Sequence, residues 1–387
     1  MKYIKLKNQK LIKYKNLNNK TELINNLFIK LIFFIYIGII NFSLIFFINN
    51  NNKFFENDTN SQFSIETKKT INFIFLNKLK FILKSDVFLI DELMSKHTTF
   101  KIGGPAKYFV RPKSINQIIE IIKLCNKYKI HYFILGNGSN LLVSDSGYNG
   151  VVIQIKEDNF SDLKVIKEDE NKYSIAVGGG MLMKTLSIEA CLLSLTGLED
   201  IVDIPGTIGA GIIMNASFRG KGLSEHLNKV KVITPEGKIK EIKKENLGFS
   251  HRESILKNKK YIVIEAEFNL IKGDQLLIQK IMTNNTKNRY KKQPMYFGSA
   301  GCFFIWDHNK YGSLYQKYKE SNLVGYRIGN IMIYPYNISF IVNLGKGTAA
   351  QLMELIEKIT KIINVKYNIE MKREVIIIGK FNKIEYN

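Results

Sequence analysis

Two glycine-rich loops constrain this chain more than any other feature: GNGSN at Gly136–Asn140 and IPGTIGAGIIMNA at Ile204–Ala216. In the first, Gly136 and Gly138 open φ values closed to other residues, so successive N–H groups can converge on one concavity. Such a nest suits a pyrophosphate, and Gly136, Asn137, Gly138, Ser139 and Asn140 are its candidate members. The spacing is not G-x-G-x-x-G and no clear helix comes after it, which disfavours a Rossmann dinucleotide site. Taken alone, the loop fits a plain turn equally well. In the second loop, Gly206, Gly209 and Gly211 keep bulk away. Either a flat ring system lies against that backbone, beside Thr207 and Asn215, or the strands there pack tightly. The two loops together are far more specific than either alone.

The surrounding texture is globular from about Ile71. Ser114 is expected to cap a helix over Ile115–Tyr128, where Ile118, Ile121, Ile122 and Cys125 recur at helical spacing. Tyr132–Leu135 reads as a short buried strand that ends in the first loop. Gly150–Ile155 and Tyr173–Val177 read as strands, Met181–Ser194 as a helix after a triple-glycine turn, and Lys229–Ile242 as a hairpin around Pro235 to Gly237. A long amphipathic helix is expected from Thr348 to about Asn364, and a last strand at Val375–Ile378. Short strands mixed with helices make an α+β protein. No internal repeat is visible.

Residues 1–70 read as a leader. Leu31–Ile48 is an almost continuous apolar run of about the length that spans a bilayer, with lysines crowding its N-terminal side. That pattern predicts a signal-anchor or targeting segment, with membrane association through 31–48. It conflicts with a cytoplasmic catalytic part, because the positive-inside rule would translocate the remainder of the chain. An organelle address, an inverted orientation or a downstream start would each resolve the conflict. The net charge of +23 is spread along a chain that is also rich in Asn, Ile and Phe, so it reads as a compositional bias rather than a nucleic-acid footprint. Cys125, Cys191 and Cys302 are widely spaced, and the five histidines show no ligand spacing, so neither a disulfide scaffold nor a metal site is implied.

Together the two loops resemble the FAD-binding domain of the vanillyl-alcohol-oxidase (PCMH) type. Within that superfamily the chain is most similar to the UDP-N-acetylenolpyruvoylglucosamine reductase family. Further matching segments occur in order: GFSHRESIL (Gly248–Leu256), QPMYFGSAGCFF (Gln293–Phe304), VGYRIG (Val324–Gly329), SFIVNLGKGTAAQL (Ser339–Leu352) and MKREVIIIG (Met371–Gly379). The resemblance implies a two-subdomain FAD-binding region over 71–270 and a C-terminal α+β substrate domain over 271–387. It implies non-covalent FAD, NADPH as hydride donor, and a UDP-sugar whose enolpyruvyl group is reduced to UDP-N-acetylmuramate in peptidoglycan precursor synthesis. No nucleic-acid partner is implied, and a monomer is expected.

Reduction of the enolpyruvyl double bond places negative charge beside a carboxylate, and that charge must be stabilised and then protonated. The resemblance assigns stabilisation to Arg252 and Glu374. The family's proton donor is a serine in S-A-G-S. This chain has Ser299-Ala300-Gly301-Cys302, so the aligned donor is Cys302, whose ordinary pKa of about 8.5 makes a thiol an adequate acid. The sequence departs from the family at His251, at Ile305 in place of a lysine, and at Tyr336-Asn337 in place of a Lys-His pair. These positions surround the substrate region. They leave open a different flavin oxidoreductase on the same fold, or a membrane-tethered flavoprotein without turnover. The short stretch from Arg252 to Ser299 implies the family's shorter form, which lacks a covering loop.

Overall fold

The computed structural model describes residues 61–84, 86–218, 220–381 and 384–386. The chain divides into two units, 1–70 and 71–387. The apolar run Leu31–Ile48 lies outside the described residues. Among the described residues no helix is long and apolar enough to cross a membrane.

The larger unit opens with most of the helix Ser61–Leu83, whose Phe75, Leu79 and Leu83 are buried one turn apart. They pack with the helix Ile115–Tyr128 on one face of a four-stranded sheet ordered 87–93, 105–111, 148–154, 132–135. The first pair is antiparallel and the other two are parallel. Side chains alternate across the sheet as the pleat requires. Tyr108, Val110, Val151 and Ile153 face those helices, whereas Phe109 and Val152 face a second cluster with Leu141, Val143 and Ile378. The Ser114 hydroxyl accepts from the Gln117 amide, and the helix begins and ends where its spacing predicts.

A second sheet is antiparallel and ordered 239–243, 227–233, 262–272, 172–178, 163–169, with 195–196 also beside 262–272. Its centre, Ile262–Lys272, alternates Ala266, Phe268 and Leu270 inward against Glu265, Glu267 and Asn269. The expected hairpin is its edge, Leu227–Ile233 paired with Ile239–Lys243. The expected helix after the triple glycine is trimmed to Met183–Leu192.

The C-terminal part holds three short strands, 327–328, 331–333 and 341–343, covered by the helix Ala349–Tyr367. Thr348 closes that helix with a capping box through Gln351. The boundary drawn at 270/271 is crossed twice. The helix Gln275–Lys292 returns to the 199–203 turn, where Asn285 donates to the Glu199 carbonyl and to Asp200, and Thr286 to Asp203. The strand Ile376–Phe381 pairs in parallel with Leu141–Val143, directly after the first glycine loop.

Candidate active site

The first loop leaves the strand Tyr132–Leu135 and enters Leu141–Val143. Gly138 stands at φ +65°, and a Cβ there would lie 2.1 Å from the His97 carbonyl oxygen. Among the described residues no acceptor takes the amides of Asn137, Gly138 or Ser139. Three successive unclaimed donors in one turn are what a pyrophosphate requires, so this loop fits FAD. Gly136 serves a different end. A Cβ there would meet the Thr207 hydroxyl at 2.6 Å, so its bareness lets the two loops touch.

The second loop is more ordered than a bare glycine run. Thr207 caps a short helix, Ile208–Ile213, by accepting from the Ala210 amide at 3.5 Å. Gly206 lies against Met183 and 3.5 Å from the Ser139 hydroxyl, measured from its ideal Cβ. Gly209 donates its amide to the Gly179 carbonyl, and a Cβ there would meet Val263 and Gly179 backbone oxygens at about 3 Å. Gly211 abuts Leu223 and Met183. Of the two uses the motif allowed, Gly209 and Gly211 serve tight packing, whereas Gly206 and Thr207 face the first loop.

Arg252 and Glu374, 122 residues apart, meet beside these loops. Arg252 Nε donates to Glu374 Oε1 at 2.7 Å, with only 20% and 14% of the two side chains exposed. Its Nη1 donates to the Ser217 hydroxyl at 3.2 Å and the Asn215 carbonyl at 3.5 Å. Arg252 sits at φ +61°, strained for a residue that carries a Cβ, in the tight turn where Ser250 and Glu253 exchange amide hydrogen bonds. Asn215 is also left-handed, at φ +44°, and its side-chain amide donates to the Ser250 carbonyl at 2.8 Å. Asn215, at the end of the second loop, therefore stands with the arginine. Glu374 is fixed from two sides: its amide donates to the Phe303 carbonyl at 2.9 Å, and its carbonyl accepts from Asn140 Nδ2 at 3.2 Å.

Cys302 borders the same cluster, one residue before Phe303 and paired with Phe340 in an antiparallel β-bridge. Burial pushes its thiol up to about 11; the Glu374 carboxylate adds to the rise, and Arg252 and Arg289 oppose it. The thiol thus keeps its proton at neutral pH. Arg289 is a residue the motifs did not single out. It is buried on the helix Gln275–Lys292, donates to Gln293 Oε1 at 2.9 Å, and acts electrostatically on Cys302 and Asp203. Ile278, Met282, Asn285 and Arg289 share one buried helical face, a register that two polar members hide in the sequence.

The departures at 305 and 337 have structural partners. Ile305 pairs across the strands with Lys372, and Asn337 Nδ2 donates to the Lys292 carbonyl at 3.0 Å.

Comparison with known proteins places this geometry among relatives. Residues 106–243 match a family model described as an FAD binding domain. Residues 293–378 match the UDP-N-acetylenolpyruvoylglucosamine reductase C-terminal domain. The UDP-N-acetylenolpyruvoylglucosamine reductase of Lachnoclostridium phytofermentans is 35% identical over 310 residues, covering 80% of this chain and 99% of that protein. That of Alkaliphilus metalliredigens is 37% identical over 295 residues, covering 76% and 94%. The crystal structure of the reductase from Thermus caldophilus superposes with a TM-score of 0.60 at 26% identity, over 76% of this chain and 98% of that one.

Proposed function

The chain belongs to the UDP-N-acetylenolpyruvoylglucosamine reductase family, and from that premise we propose that Arg252, Glu374 and Cys302 carry the second half of its reaction. The protein is an FAD-dependent, NADPH-consuming oxidoreductase that reduces the enolpyruvyl group of UDP-N-acetylglucosamine enolpyruvate to give UDP-N-acetylmuramate for peptidoglycan. When bound, FAD accepts hydride from NADPH and delivers it to the double bond, so the redox chemistry is the cofactor's. The observation that carries the residue assignment is the meeting of Arg252, Glu374 and Cys302 next to both glycine loops.

In this reading the amides of Asn137, Gly138 and Ser139 hold the pyrophosphate, and Gly206 and Thr207 close the cradle from the second loop. Arg252 supplies the positive charge that meets the enolate developing on the substrate carboxylate. Glu374 orients that guanidinium through the 2.7 Å hydrogen bond. Cys302 then donates its proton to the substrate carbon. With its pKa raised, the thiol carries its proton at neutral pH, which is the protonation state a general acid needs. Asn215 supports the arginine rather than the cofactor. The catalytic part is assigned to the cytoplasm, where nucleotide sugars and NADPH are made, as a monomer. Any membrane association rests on Leu31–Ile48.

The test is NADPH consumption by FAD-loaded protein with and without the UDP-enolpyruvyl sugar, together with mass spectrometry of the sugar. Sugar-dependent consumption with a product two hydrogens heavier is expected. Flavin reduction with no change in the sugar would sink the substrate assignment and leave a flavoprotein without this turnover. Fractionation of cells expressing the full chain and a leaderless one tests the assignment of Leu31–Ile48; equal distribution would remove it.

A further inference from the structure

Thr99 is hydrogen-bonded to both loops that the proposed reaction uses. Its amide donates to the Gly138 carbonyl at 3.1 Å, on the pyrophosphate loop. Its hydroxyl donates to the Ser299 carbonyl at 2.7 Å, at the start of the turn that carries Cys302, 200 residues further along the chain, and lies at 3.4 Å from the Gly138 carbonyl as a longer, secondary contact. The Ser299 amide returns the bond to the Thr99 carbonyl at 3.2 Å. The segment around Thr99 also fills the space between the loops. A Cβ on Gly138 would strike the His97 carbonyl oxygen at 2.1 Å, and one on Gly298 would strike the Phe100 carbonyl oxygen at 2.7 Å. Asn343 holds the far end, with Nδ2 donating to the Phe100 carbonyl at 3.1 Å and its amide to the Gly298 carbonyl at 2.8 Å.

We propose that Thr99 is a positioning residue that holds the Ser299–Cys302 turn, and with it the Cys302 thiol, in fixed register with the loop that holds the cofactor. This rests on the function proposed above and adds to it a residue that acts through the two loops rather than through the reacting atoms. The turn needs such a tether. Gly301 stands at φ +78° with nothing within 4 Å of where its Cβ would be, so neither side-chain bulk nor a neighbour stops it swinging. Its C-terminal end is tied by the Cys302–Phe340 β-bridge and the Phe303 amide on the Ser339 carbonyl. Its N-terminal end is tied at Ser299 by Thr99. The hydroxyl fixes the plane of the Ser299–Ala300 peptide, which the backbone pair alone does not. Misplacing a reacting group by about 1 Å can lower a rate by roughly 100-fold.

The experiment compares Thr99→Val, which keeps shape and loses the donor, with Thr99→Ser, which keeps the donor, in the full FAD-loaded chain. Thr99→Val is expected to retain FAD and to be reduced by NADPH at the parent rate, because its amide still reaches Gly138. Its sugar half-reaction is expected to slow about 10- to 100-fold, in kcat more than in KM. Thr99→Ser is expected to recover most of that loss. A second readout needs no turnover: the Cys302 alkylation rate, tracked by mass spectrometry, should rise in Thr99→Val and stay near the parent in Thr99→Ser. The proposal is overturned if alkylation is the same in all three proteins. It is also overturned if Thr99→Val slows both half-reactions equally, or if Thr99→Ser is as impaired as Thr99→Val. Failure of the parent to reduce the UDP-sugar would instead count against the proposed function, and the alkylation comparison would still decide the role of Thr99.

Discussion

Cys302 shows how a single substitution is absorbed by its surroundings. Burial, with Glu374 adding, raises the thiol to about 11, while Arg252 and Arg289 pull the other way. The acid form therefore persists through neutral pH and is lost only as pH rises through about 11. Cys302→Ala should slow the sugar half-reaction by about 10²–10⁴-fold and leave flavin reduction by NADPH unchanged in stopped-flow traces. Cys302→Ser should restore much of it. The same shift makes the thiol a poor nucleophile, because it leaves far less thiolate at neutral pH. Iodoacetamide should therefore act slowly at pH 7 and faster with each step into the alkaline range; fast, pH-independent inactivation would show that the site is not the one described. Gly138→Ala should lose flavin on gel filtration. The left-handed backbone costs about 1–2 kcal/mol with a Cβ present, and that Cβ would meet the His97 carbonyl, so the loop must move.

Among the secondary elements, the helix Ala349–Tyr367 carries a device outside its own sequence. Thr348 and Gln351 make the capping box, and Asp145, just beyond the strand that leaves the first loop, accepts from the Ala349 and Ala350 amides, each at 2.8 Å. A carboxylate on the first turn satisfies two otherwise open donors and complements the helix dipole. Asp145→Ala should cost about 1–2 kcal/mol and lower Tm by a few degrees, with thermal unfolding monitored by flavin release. An unchanged melting curve would mean that Thr348 suffices alone. The helix Gln275–Lys292 was not legible as an element, because after Ile278 and Met282 its inward face continues with Asn285 and Arg289. Those polar residues are held inside by Glu199, Asp200 and Gln293, partners that no apolar period announces. The helix Ile115–Tyr128 was legible because its cap and its apolar face are both local.

For the molecule as a whole, the useful boundary lies inside a helix. Phe75, Leu79 and Leu83 are buried against the four-stranded sheet, and each such side chain contributes roughly 1.5–3 kcal/mol. A chain starting at Ser61 should purify yellow and melt as the full chain does. One starting at Asp86 should lose flavin or aggregate, because Tyr108, Val110 and Ile118 would lose their cover. Equal flavin content and melting in both would show that this helix is dispensable. Across the division at 270/271, Ile376–Ile378 pairs in parallel with Leu141–Val143, behind the first loop.

The sequence by itself determined the two glycine loops, the capped and periodic helices, the hairpin at Lys229–Ile242 and the order of motifs that names the family. Each of these is written within a few residues, through φ preference, side-chain period or a turn. Tertiary structure alone decided which glycines bring the two loops together and which serve packing beneath them, because Gly136 meets Thr207 whereas Gly209 is occupied by Gly179 and Val263. It also decided that Asn215 supports Arg252, that Arg289 bears on Cys302, and that Thr99 joins two loops. The physical reason is that a hydrogen bond or a field acts through space, and partners 122 or 200 residues apart leave no mark on the local pattern of either.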